Sequence, residues 1–129
     1  MFMKTNNNMK NVKEALKQAI KLRELATDRA KDLFMARGGY KSHCIGIEFE
    51  ENKIAVRLEE STIHDCPDRD WISLGISQLE MTENEWADYL LKAKTEYLAD
   101  EQKIKEKAEQ AKLEAKQKEF DRLKNELGL

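Results

Sequence analysis

The stretch HCIGIEFEENKIAVRLEE, residues 43–60, decides the fold. In its first half Ile45, Ile47 and Phe49 alternate with Gly46, Glu48 and Glu50. In its second half Ile54, Val56 and Leu58 alternate with Ala55, Arg57 and Glu59. Successive side chains of a strand point to opposite faces, so a period of two marks one apolar and one wet face. The polar break Glu51-Asn52-Lys53 joins the runs, which predicts an antiparallel hairpin.

Working outward, residues 60–70 are a polar connection containing Pro67. Trp71–Ile76 then alternates again, with Ile72, Leu74 and Ile76 on one face and Trp71, Ser73 and Gly75 on the other. Three strands with one apolar face need a cover. The segment before the hairpin offers one. Val12, Leu16, Ala19, Ile20, Ala26, Ala30, Leu33 and Phe34 recur at helical spacing over Val12–Arg37, with Asn11 as a candidate N-cap. Gly38-Gly39 stops that helix.

On the far side, Met81-Thr82-Glu83-Asn84-Glu85-Trp86 is a helix start. Thr82 and Glu85 have capping-box spacing, and Met81 and Trp86 have that of a hydrophobic staple. Trp86, Leu90, Ala93, Tyr97 and Ile104 form the helix's first stripe. Neither Gly nor Pro interrupts residues 83–127, which as one helix would measure about 67 Å. Beyond Asp100 the composition is mostly Lys, Glu, Gln and Ala, with Glu101/Lys105 and Glu114/Lys118 at favourable i,i+4 spacing. Ala108, Ala111 and Ala115 continue a thin stripe. Leu113, Phe120, Leu123 and Leu127 form another on a different face, so the seam shifts register near residue 112.

The expected class is therefore α+β: an N-terminal helix, a three-stranded antiparallel meander and a long C-terminal helix with a coiled-coil-like extension. Residues 1–10, Asn-rich and polar, are expected to fray. Residues 11–99 form the α-β-β-β-α domain. Residues 100–129 are a charged helical extension for oligomerisation or partner docking. Trp86, Leu90, Phe34, Ile47, Val56 and Leu74 are the expected core.

Length and composition narrow the function. The 129 residues exclude a two-domain enzyme with a deep cleft, and 37% charged residues put much of the chain in water. The net charge of −2 gives no general pull toward nucleic acid. It is uneven: +5 over residues 1–37, −8 over 38–100 and +1 thereafter. No apolar run reaches the roughly 18 residues of a membrane span, and the start MFMKTNNNMK lacks the pattern of a secretory signal. A cytoplasmic location and reduced cysteines are expected.

The chemistry-bearing residues fall in small clusters. His43, Cys44, His64 and Cys66 are the ligand types of a tetrahedral zinc site. A turn near Asn52 would bring residue 44 opposite 60–61 and the 64–66 loop to the same end. Against zinc, no C-x-x-C pair occurs, and neighbouring strand residues face opposite ways. A Cys44–Cys66 disulfide is the oxidised alternative. The same His and Cys pairs lack any elbow or Gly-rich oxyanion context, so no enzyme is expected. Asp65, Asp68 and Asp70 share a loop but lack the Gly and distal Glu of a calcium loop.

Further, ARGGY (36–40), CIGIEFEENKIAVRLEE (44–60), MTENEWADYL (81–90) and the tail FDRLKNELG (120–128) occur in an order that resembles small accessory proteins of tailed phages and prophages. That resemblance brings no catalytic residue and no cofactor. It implies action by binding, as inhibitor of a host defence protein in the host cytoplasm. Glu48, Glu50, Arg57 and Glu59 on the sheet, with Phe120, Leu123 and Leu127 on the tail, are the expected contacts, and a homodimer is the expected assembly. The alternative is an oligomer that sequesters a nucleotide signal through Arg29, Arg37, Tyr40, Lys41 and Trp71. A nucleic-acid-binding role is disfavoured by the acidic sheet face.

Overall fold

The computed structural model describes residues 2–61 and 66–129. Its elements are α1 (Phe2–Ala36), β1 (Ser42–Phe49), β2 (Lys53–Glu60), β3 (Arg69–Gly75), α2 (Ile76–Glu80) and α3 (Glu83–Glu126). The strands form an antiparallel sheet in the order β1-β2-β3, which is the expected meander. Among the described residues, no helix is long and apolar enough to cross a membrane.

The chain divides into two compact units, residues 1–93 and 94–129. In the first, Ala26, Ala30, Leu33 and Phe34 of α1 lie against Ile54, Val56 and Leu58 of β2 and Ile72 and Leu74 of β3. Trp86 of α3 completes this cluster. Leu33, Leu58, Leu74 and Val56 are fully buried. Ile47 and Leu90, both expected in the core, are partly buried against it.

Both helix punctuation signals form as read. The Gly39 amide donates to Phe34 O and the Gly38 amide to Met35 O, a Schellman end with Gly38 at φ 88°. Gly39 also leaves space for the Phe34 ring, which a Cβ there would overlap. At the start of α3 the Thr82 amide donates to Glu85 Oε1 and the Glu85 amide to Thr82 Oγ1. Trp86 is buried and Met81 packs against the same core cluster, in keeping with a staple. The Thr82 contacts, its backbone amide foremost, hold the Glu85 carboxyl below the usual glutamate range.

Four local expectations are corrected. α1 starts at Phe2, so Asn11 lies inside the helix and caps nothing. Only the second half of its stripe covers the sheet; Val12, Leu16 and Ile20 remain exposed. Cys44 pairs with Leu58 and Gly46 with Arg57, which leaves Ile45 as a bulge. The extra residue breaks the alternation: Cys44 and Ile47 share the packed face, while Ile45 is exposed. Finally, Ile76 opens α2 and is exposed, so the third apolar strand position does not exist.

Candidate functional site

The wet face of the sheet is built by register. His43, Glu59 and Arg69 lie side by side across the three strands, and so do Gly46, Arg57 and Trp71. Glu59 Oε2 accepts from Arg69 Nε at 2.6 Å, and Glu59 Oε1 lies 3.5 Å from His43 Nε2. His43 Nδ1 shares a hydrogen bond with Ser61 Oγ at 2.9 Å. These are the residue types of a nucleophilic triad, but Glu59 binds Arg69 more closely than His43, and half of the His43 side chain is in water. A base needs its carboxylate partner undivided and shielded.

Beside this row the Arg57 guanidinium lies over the Trp71 ring, 5.9 Å from its centre. A Cβ at Gly46 would lie in ordinary van der Waals contact with that ring, at 3.8 Å. The face is less acidic than the sequence suggests. Glu59 is neutralised by Arg69, and Glu50 is paired with Lys53 at 3.3 Å. Glu60 pairs with Ser42 on the packed side and is buried. Glu48 remains exposed.

The residues named for a nucleotide site do not gather. Arg29 is 4% exposed. Its guanidinium donates to the carbonyls of Gln78, Leu79 and Met81 and lies 5.1 Å from the centre of the Trp86 ring. It closes the C-terminal end of α2, satisfying carbonyls that the short helix leaves unpaired. Trp71 lies on the opposite face of the sheet. Arg37, Tyr40 and Lys41 are exposed around the α1–β1 connection. Sequence reading marks Arg29 as basic but carries no signal that it ties α1 to the α2–α3 turn.

Nor does a metal site assemble among the described residues, in which no group of three or more His, Cys, Asp or Glu converges. Cys44 lies opposite Leu58 instead of 60–61, with its thiol donating to Gly46 O. Cys44 and Cys66 are both free thiols, so the disulfide does not form. Asp68 offers its carbonyl to the Glu60 amide, and Asp70 Oδ1 accepts from the Trp71 amide. The expected contributions of His64 and Asp65 lie outside the described residues.

In the second unit every residue from Leu98 to Leu129 is exposed. Leu113, Phe120, Leu123 and Leu127 are 60%, 61%, 43% and 70% exposed on one helix face. The expected lysine pairs are replaced: Glu101 accepts from Tyr97 and Glu114 from Gln110. The bond to Glu101 raises the Tyr97 pKa. Arg122 bridges Glu119 and Glu126, and Glu119 chiefly raises its pKa. A second Schellman end closes the helix at Gly128, with φ 71°.

No protein-family model, curated protein or solved structure matches this chain.

Proposed function

We propose that the chain is a non-catalytic binding protein, with residues 1–93 as folded platform and the 94–129 helix as docking element. The carrying observation is the tail stripe. Leu113, Phe120, Leu123 and Leu127 share one face of a charged helix, and all are exposed. Each costs free energy in water that a covering surface would recover, about 25 cal/mol per Å2 buried. Apolar residues recurring at heptad spacing on a charged helix are the pattern of a face that packs on another helix. The Trp71–Arg57 pair supplies a second contact, since Trp and Arg dominate binding hot spots. The resemblance to phage accessory proteins gives the partner its class, a host protein whose action the chain inhibits in the host cytoplasm.

The test is a photoreactive amino acid in place of Leu123, irradiated in the pure protein and in host lysate. The expected result is a covalent adduct with a protein chain, identified by mass. Absence of any adduct in both samples overturns the reading.

A further inference from the structure

Resting on the reading that the tail is a docking surface, we infer that its occupant is the tail of a second copy, aligned in parallel from Leu113 to Leu127. The spacing sets the seam. Leu113, Phe120 and Leu127 are seven residues apart, and Leu123 lies three beyond Phe120. In heptad terms these are three a positions and one d; the other d is Lys116, whose ammonium must reach past the seam edge to avoid its copy, at a cost in stability. Upstream the seam ends, because Glu106 and Glu109 would occupy the a and d positions and repel their copies.

Flanking charge selects both the occupant and its direction. In this register Glu119 and Glu126 are g positions, and Gln117 and Lys124 are e positions. Parallel pairing sets g of one chain against e of the next heptad in the other, so Glu119 meets Lys124 twice across the symmetric pair. Antiparallel pairing sets g against g, so Glu119 meets Glu126 twice. Self-recognition in parallel is attractive at both flanks, and the antiparallel arrangement is repulsive. All four seam residues are exposed and the helix ends cleanly at Gly128, so nothing in the second unit obstructs this pairing. Glu119 and Glu126 already contact Arg122 of their own helix. Those surface pairs are weak and exchange readily.

The experiment is sedimentation equilibrium of the full chain over a dilution series, with helicity followed by circular dichroism. The native chain should show a two-chain mass that dissociates on dilution, and Leu123→Asp should abolish it. Glu119→Lys and Lys124→Glu should each weaken association roughly threefold to tenfold. The double exchange should recover most of that loss. A native chain that stays monomeric at its solubility limit overturns the inference, while adducts of the photoreactive protein with a host protein would still support the reading beneath it. If Glu119→Lys strengthens association, the helices run antiparallel and the inference is likewise overturned.

Discussion

The second half of α1 and the second half of α3 both carry apolar residues at helical spacing, and they meet different fates. Ala26, Ala30, Leu33 and Phe34 are buried against the sheet; Leu113, Phe120, Leu123 and Leu127 are exposed. The difference lies in what flanks the apolar positions. Ala26 and Ala30 let the α1 backbone approach the strands closely, and Arg29, one position before Ala30, ties the helix to the α2–α3 turn. The α3 stripe has no alanine: Leu113, Phe120 and Leu127 are spaced by seven with Leu123 between, edged by Glu119, Lys124 and Glu126, the spacing of a helix-pairing seam. Periodicity tells which face is apolar. Residue size and flanking charge tell what kind of surface covers it.

The sharpest way to break this comparison is to truncate one residue in each stripe. Leu33→Ala should cost about 3 kcal/mol in denaturant unfolding, because a fully buried leucine leaves a cavity. Leu123→Ala, measured on dissociated chain, should fall within about 0.5 kcal/mol of native. Equal effects would mean that the two stripes do the same work.

Arg29→Met comes next. It leaves the Gln78, Leu79 and Met81 carbonyls without their donor. A loss of about 2 kcal/mol is expected, in line with hydrogen bonds to a charged group. An unaltered unfolding midpoint would show that the turn is held by packing alone.

The smallest effects concern the start of α3. Thr82→Ala should cost about 1 kcal/mol through the lost cap. The same box adds a pH dependence. Glu85 titrates lower in the folded chain than in the unfolded one, so its contribution is present above the ordinary glutamate range. It is lost as pH falls through the depressed value. Glu85→Gln should flatten that part of the stability–pH curve; an unaltered curve would show that Glu85 does not contribute.

Much of the fold was legible because it rests on local rules. The hairpin, the Gly38-Gly39 stop and the Thr82–Glu85 box each follow from residues within a few positions of one another. The misreadings come from longer range. The bulge at Ile45 depends on how β1 meets Leu58 and Arg57 across the strand pair, and alternation alone cannot reveal it. Arg29 reads as a surface cation until the carbonyls some fifty positions away are brought to it. The same holds for the sheet face, where Glu59 reads as an acidic contact but is already bound to Arg69. The tail stripe was legible as a pattern, since Leu113, Phe120, Leu123 and Leu127 need only helical geometry to line up.

The second half of α1 finds its cover within the first unit, and the tail borrows one. Amide hydrogen exchange at several protein concentrations tests it most directly. Protection over residues 26–34 and 54–58 should be independent of concentration, because those amides lie in a self-contained core. Protection over 113–126 should rise with concentration, since a polar helix alone is marginal in water. Tail protection that stays constant across the series, high or low, would contradict the account.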